Sequence, residues 1–367
     1  MKIGIDISQI VYSGTGVARY TKGLLNAILK YNHQHEWRFF FSSLRQKLPL
    51  KTVKAINNSG YILKQYRFPP TVLSVLWNKW HVLDMKLLLG DLDWFISSDW
   101  IEPPFKNVKK ATIIHDLFFL KYPETVDWQI LKTQSQRLAY VSQETDLILA
   151  DSQSTEKDIV KLLELRKAKI KVLYPGVEIA EANKPTVKKV LARLNLKNNR
   201  FLLTVGKLEP RKNLERLIEA FLRLPTNYPL IIVGPKGWGS LNLAAKNVRV
   251  LGYLNDLELS SLYQSCSLFV YPSLYEGFGY PVLEAAKFGV PIACSNTSSL
   301  KELGQGISLQ FDPKNVNQIT EALKHLLENK QLAKQLGEKA KQKAQEFTWQ
   351  KTLVNLQNYL EKYDYWD

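Results

Sequence analysis

Glu276 and Glu284 stand eight positions apart in the stretch Tyr271-Pro272-Ser273-Leu274-Tyr275-Glu276-Gly277-Phe278-Gly279-Tyr280-Pro281-Val282-Leu283-Glu284-Ala285-Ala286. A carboxylate accepts two hydrogen bonds and suits a vicinal diol, which is how acidic groups hold ribose in dinucleotide folds. Gly277 and Gly279 flank one aromatic, Phe278, in what reads as a loop. Glycine lets a backbone turn sharply and approach a ligand, and a helix N-terminus beyond it offers free N–H groups to an anion. The run Leu268–Val270 before the loop reads as a buried parallel strand. Pro281 marks the first turn of a helix, where a missing N–H costs nothing. Such a string suits a sugar, an anion and a second sugar in a row, the outline of a nucleotide-sugar. The plainer reading is two solvated glutamates at a helix start, which gain roughly 0.3–1 kcal/mol from the helix dipole without any ligand.

Other residues could take part. Lys207, Arg211 and Lys212 lie between a strand, Phe201–Gly206, and a helix, Leu214–Leu222, where cations can clamp a diphosphate. A basic loop on a basic protein is the alternative. Gly14 and Gly16 follow the first strand and precede a helix starting near Val17, the phosphate-approach geometry of a Rossmann unit, though many such loops are only tight turns. His115 follows the strand Ala111–Ile114 at the end where sites form. It could be a general acid/base or a hydrogen-bond donor to sugar hydroxyls, where a lone histidine is more often structural. His33 and His35, in a polar turn, read as binding nothing.

The string E-G-F-G-x-P-x-x-E-A, with its Glu-x7-Glu, resembles the signature of the retaining GT-B glycosyltransferases of family four, in particular their mannosyltransferase branch. I-H-D-L at Ile114–Leu117 and L-E-P-R-K-N at Leu208–Asn213 resemble further strings of that group. The resemblance covers nearly the whole chain and is strongest from Phe201 to Glu302. It implies an α/β protein with two facing Rossmann-like domains, parallel sheets and an interdomain cleft that takes the donor. It further implies metal-independent, retaining transfer of a hexose from a nucleoside diphosphate sugar to an acceptor hydroxyl. Mannose from GDP-mannose is favoured, with UDP-glucose or UDP-N-acetylglucosamine as alternatives; a non-catalytic nucleotide-sugar-binding subunit is the reading of another class. By the same resemblance Glu284 would hold the ribose, Glu276 the donor sugar hydroxyls, and His115 would face that sugar. Gly14 and Gly16 would contact the donor from the first domain, Tyr253 and Leu254 the nucleobase, and the backbone at Gly277, Phe278 and Gly279 the diphosphate. The family places an Arg-x4-Lys pair on the diphosphate. Here Lys207 replaces the arginine and Lys212 matches, so Lys207 or Arg211 must supply the missing cation. No cofactor is implied beyond the nucleotide-sugar as co-substrate. The acceptor would be a glycan or a lipid-linked molecule.

The 367 residues hold 45% hydrophobic and 23% charged residues, a globular composition with room for two cores. A formal charge of +16 attracts phosphates, anionic lipid or nucleic acid. No nucleic-acid-binding pattern is found, so nucleic acid is excluded as a partner. From Trp37 to Leu83 there is no acidic residue, and basic side chains alternate with aromatics. That mixture suits an anionic membrane surface, or equally a solvated face over an ordinary core. Cys266 and Cys294 have no metal spacing, which argues for a reducing, cytoplasmic setting, with peripheral attachment to the inner membrane face left open. The start, Met1–Ile7, reads as a strand interrupted by Asp6 and not as a signal segment, and no run of 18 apolar residues exists.

Strand patterns alternate with helical ones, which implies parallel sheets. Helical patterns lie at Val72–Leu89 and Val126–Gln143, and amphipathic helices are expected at Asn315–Leu327 and Leu332–Ala344. Asp91-x-Asp93 resembles the metal motif of the other main glycosyltransferase fold, but it precedes the strand Trp94–Ser97, at the wrong end for a ligand, so no metal is expected. The domain reading is 1–176 for the acceptor side, 177–186 for a linker, 187–347 for donor binding and 348–367 for a helix packing back on the first domain.

Overall fold

The computed structural model describes residues 1–12, 14–32, 34–97, 100–239 and 241–363. His33 and the end of the 348–367 segment, residues 364–367, lie outside them. The chain divides into two compact units, one of Met1–Gly176 with the chain from Thr348, the other of Val177–Phe347.

In the first unit β1 (Lys2–Asp6), α1 (Gly16–Tyr31), β2 (Glu36–Ser42), α2 (Leu50–Asn58) and β3 (Ile62–Tyr66) are followed by two short helices, α3 (Pro70–Ser74) and α4 (Lys86–Leu89). Then come β4 (Trp94–Ser97), β5 (Lys109–Ile114), α5 (Phe118–Lys121), α6 (Trp128–Glu144), β6 (Leu147–Ala150), α7 (Gln153–Leu163) and β7 (Ile170–Val172). The described strands form one parallel sheet in the order β3-β2-β1-β4-β5-β6-β7. Strands such as β4 and β6 are buried at every position, as a sheet covered on both faces requires. The order reverses between β1 and β4, which puts a crevice beyond their carboxyl ends.

The second unit runs α8 (Lys184–Arg193), β8 (Leu202–Val205), α9 (Leu214–Leu222), β9 (Leu230–Val233), β10 (Val248–Val250), α10 (Asp256–Tyr263), β11 (Leu268–Tyr271), α11 (Tyr280–Lys287), β12 (Ile292–Ser295), α12 (Ser298–Gly304), β13 (Leu309–Phe311), α13 (Val316–Glu328) and α14 (Lys330–Ala344). Its parallel sheet has the order β10-β9-β8-β11-β12-β13, reversing between β8 and β11. Helix α15 (Trp349–Glu361) belongs to the first unit, where it packs on α1. The fit is specific: a Cβ at Gly23 would come within 2.0 Å of the Trp349 ring, and one at Gly176 within 2.2 Å of its backbone.

Two expectations need correction. Val72–Leu89 is not one helix, because after α3 the chain makes a π-turn at Val75–Lys79. His81 and Leu83 then adopt left-handed backbone angles (φ 52° and 70°). Trp77 Nε1 donates to the Leu83 carbonyl at 3.0 Å, folding the segment around a buried indole. The segment read as a linker, 177–186, lies within the second unit and ends as the first turn of α8, where Asn183 caps Thr186 N at 3.0 Å and Pro185 occupies the first turn. In the basic window, Trp37, Phe39, Phe40, Phe41 and Trp77 are core residues, whereas Trp80 is 61% exposed. Asp91 pairs with Lys86 at 2.6 Å and Asp93 accepts from Lys2 N at 2.7 Å.

Candidate active site

The reversal between β8 and β11 places two loops side by side, Gly206–Asn213 and Pro272–Gly279, at the carboxyl ends of their strands. They are stitched together. Leu274 N donates to the Arg211 carbonyl at 2.9 Å. Asn213, in the left-handed region (φ 57°), sends Nδ2 to the carbonyls of Pro272 at 3.1 Å and Pro313 at 2.7 Å. The backbone of Glu276 is held from α12, with Ser298 Oγ accepting from Glu276 N at 2.9 Å and Ser299 Oγ donating to its carbonyl at 2.9 Å.

This scaffold brings Arg211, Lys212 and Glu276 together. Glu276 is only 7% exposed. Its Oε1 accepts from Lys212 Nζ and from Tyr271 OH (3.0 Å), and its Oε2 from Arg211 Nη1 (3.0 Å). Burial alone would push the carboxyl up, but the Arg211 guanidinium and the Lys212 ammonium outweigh it and bring it down to about 2. Burial also pushes Lys212 down, aided by Arg211 and opposed by Glu276. Tyr271 is pushed well up by burial and by the adjacent carboxylate, so its phenol stays protonated and can donate. Glu276 is therefore a fixed anion throughout the physiological range.

The remaining predicted residues fall around this cluster. Lys207 sits exposed in the β8 loop, with no ion pair or side-chain hydrogen bond among the described residues. Gly277 and Phe278 are buried in the β11 loop, the Phe278 ring packing edge-on against Tyr280 at 5.2 Å. Gly279 (φ 104°) is the N-cap of α11. Glu284 is the fifth residue of α11 and is 1% exposed, accepting from Tyr263 OH on α10 at 3.0 Å. Tyr253 is 66% exposed and Leu254 half-buried after β10, where Gly234 N donates to the Gly252 carbonyl at 2.8 Å.

In the first unit, Gly14 (φ 85°) is exposed before α1 and Gly16 is exposed as its first residue, with Thr15 as the N-cap. His115 follows β5. Its Nδ1 lies 2.7 Å from Asp151 Oδ2, and its ring meets Tyr20 edge-on at 4.9 Å. A carboxylate on Nδ1 sets the tautomer and orientation of an imidazole. Asp151 was not singled out from the sequence, nor was Tyr271. A signal for Asp151 existed: it is the first residue after β6 as His115 is after β5, and Ile114 pairs with Ala150.

Comparison with known proteins agrees with this geometry. Residues 187–343 match the family model of glycosyl transferases group 1, and residues 14–181 that of glycosyltransferase family 4. The O-antigen chain mannosyltransferase B of Escherichia coli is 27% identical over 95% of this chain and 97% of its own length. Among solved structures, the sucrose-phosphate synthase of Thermosynechococcus elongatus superposes with a TM-score of 0.74 at 16% identity, covering 99% of this chain and 98% of that one. The Anabaena Alr3699/HepE protein in complex with UDP-glucose superposes at 0.71 and 17% identity, covering 99% of this chain and 100% of its own. With two parallel sheets, each reversing beside its first strand, and both family models in register with the units, the chain belongs to the group 1 glycosyltransferases of the GT-B fold, near their mannosyltransferase branch.

Proposed function

We propose that this glycosyltransferase transfers a hexose with retention from a nucleoside diphosphate sugar, GDP-mannose before UDP-glucose or UDP-N-acetylglucosamine, to an acceptor hydroxyl in polysaccharide or glycolipid synthesis. The observation that carries the proposal is the Glu276 carboxylate, locked as an anion at the carboxyl end of β11. A fixed anion there accepts hydrogen bonds from donor sugar hydroxyls. Glu284 holds the ribose, and the exposed Tyr253 with Leu254 meets the base. Lys212 with a second cation of the β8 loop, and the backbone at Gly277–Gly279, receive the diphosphate, where charge develops as the bond to the sugar breaks. The anomeric carbon loses its bond to the phosphate oxygen and gains one to the acceptor oxygen on the same face. The acceptor proton passes to the leaving phosphate. Within the first unit, His115, with Nδ1 held by Asp151, and the Gly14–Gly16 loop are the groups suited to sugar hydroxyls and phosphate. The reaction needs neither a metal nor a cofactor beyond the nucleotide-sugar.

A donor panel read by thermal shift tests this reading. At one hundred times its Kd a bound donor adds about 2.7 kcal/mol. GDP-mannose is expected to give the largest rise, and incubation with acceptor should yield a product of the donor's own anomeric configuration. No shift with any nucleotide-sugar would overturn the reading, and binding without turnover would make the chain a binder only.

The acceptor proposal extends to a lipid-linked molecule at an anionic membrane surface. Among the described residues no helix is long and apolar enough to cross a membrane. Surface attachment would instead use the basic window together with Leu50 and Leu87, 79% and 75% exposed, and Trp80. Flotation with vesicles of phosphatidylglycerol and phosphatidylethanolamine should carry the protein at low salt and release it at high salt. Absence of flotation at low salt would remove the membrane from the proposal.

A further inference from the structure

Each nitrogen of the Arg211 guanidinium already has a protein partner. Nε and Nη2 lie 2.9 and 2.8 Å from Oε1 of Glu209, a residue only 5% exposed. Nη1 donates both to the Tyr275 carbonyl and to Glu276 Oε2, each at 3.0 Å. The side chain thus spans from its own loop to the backbone and the carboxylate of the β11 loop. Such a planar fork is pre-organised for this geometry, where a lysine's point charge is not. Lys207 is its opposite: exposed, and without an ion pair or side-chain hydrogen bond among the described residues.

We infer that Arg211, anchored by Glu209, is a positioning residue that sets the Glu276 carboxylate and does not bind the diphosphate, so that Lys207 is the cation replacing the family's arginine on that diphosphate. This rests on the donor site proposed above and divides its cations into two jobs. Moving Arg211 onto a diphosphate would break its contacts to Glu209, Tyr275 and Glu276 together. It would also leave two buried carboxylates with fewer partners, which is strongly unfavourable. Lys207 can reach an anion without breaking anything.

The two roles separate in experiment because a nucleoside diphosphate carries the phosphates without the sugar. Calorimetric titration with GDP and with UDP, on wild type, Lys207→Met, Arg211→Met, Arg211→Lys and Glu209→Gln, reads phosphate binding alone. Lys207→Met is expected to weaken it at least tenfold and Arg211→Met less than threefold. In transfer assays Arg211→Met should lower kcat by about a hundredfold. It should also move the acid limb of the pH profile upward, because among the described residues the Glu276 carboxylate would then keep Lys212 and the hydroxyls of Tyr271 and Ser273 as partners. Arg211→Lys should recover part of both. Glu209→Gln keeps the cation but loosens its anchor, and should lower kcat about tenfold with nucleotide affinity intact. It serves as the test if Arg211→Met does not fold. If Arg211→Met, or Glu209→Gln in its place, weakens nucleotide binding as much as Lys207→Met with the acid limb unmoved, the inference is wrong. A wild-type protein that binds neither nucleotide overturns the donor site itself, a distinct failure.

Discussion

Glu276→Gln is expected to lower hexose transfer by a factor on the order of 10²–10³ and to destabilise the protein measurably at pH 7. The substitution keeps the shape of the side chain and removes the charge that Lys212 and Arg211 surround. The carboxyl is depressed in the folded state from an ordinary 4.5 to about 2. A depressed acid stabilises the fold at every pH above its unfolded value, and that contribution fades as pH falls through the folded one. The shift corresponds to a stabilisation on the order of 3 kcal/mol. For a unit of this size each kcal/mol moves the melting temperature by about 2–4 °C, so a fall of roughly 6–12 °C is expected. Lys212, already pushed down by burial and Arg211, can release its proton in the variant and soften the loss. The gap between wild type and variant should be widest near neutrality and narrow between about pH 4.5 and pH 2. A calorimetric series that gave equal melting temperatures at pH 7 would remove the buried pairing from the account.

Gly279→Ala should produce the second large effect, through the backbone. Gly279 has φ 104° and ψ 47°, a conformation that a residue with a Cβ adopts only under strain. Its added Cβ would stand 2.7 Å from Leu300 Cδ2, and Leu300 is fully buried. Strain of roughly 1–3 kcal/mol adds to an overpacking cost of about 1–3 kcal/mol. The chain can relieve both only by shifting the start of α11, so nucleotide affinity should fall about tenfold along with stability. Gly16→Ala is the control. Among the described residues, apart from its chain neighbours and its own helix backbone, no atom lies within 4 Å of the position its Cβ would take, and its φ is not positive, so stability should be unchanged. Equal melting temperatures for Gly279→Ala and wild type, by differential scanning calorimetry, would contradict the argument.

How much of this was legible before the coordinates depends on the range of the interaction. The run Trp94–Ser97 is a strand at the expected residues, because an apolar stretch buried on both faces carries its own pattern. Leu214–Leu222 is the expected helix, its apolar residues recurring on one face. The break in Val72–Leu89 was not legible. It depends on a tryptophan folding back to a carbonyl six residues on and on a histidine held by Glu144 at 3.0 Å, 63 positions away. The three-residue strand Leu309–Phe311 is too short to show alternation and exists because β12 offers it an edge.

The site divides in the same way. Glycines, glutamates and lysines of the two loops could be named from local strings. What joins them could not: Arg211 meets Glu276 across 65 positions, Lys212 meets it across 64, and His115 meets Asp151 across 36. In the sequence Arg211 has no visible partner, as a cation in a loop has none until the fold supplies it. The sheet order supplied the partner, since β8 and β11 are neighbours though 66 residues separate their paired positions Leu202 and Leu268.

The claim on which the rest depends is that Glu276 engages the sugar half of the donor while cations and backbone hold the diphosphate half. Isothermal titration of wild type and Glu276→Gln, each with GDP and with GDP-mannose, separates the halves. The account predicts equal GDP affinity in both proteins and, in the variant alone, loss of the extra affinity that the mannose confers. GDP-mannose affinity that is unchanged in Glu276→Gln, beside intact GDP binding, would place the sugar elsewhere and contradict the account.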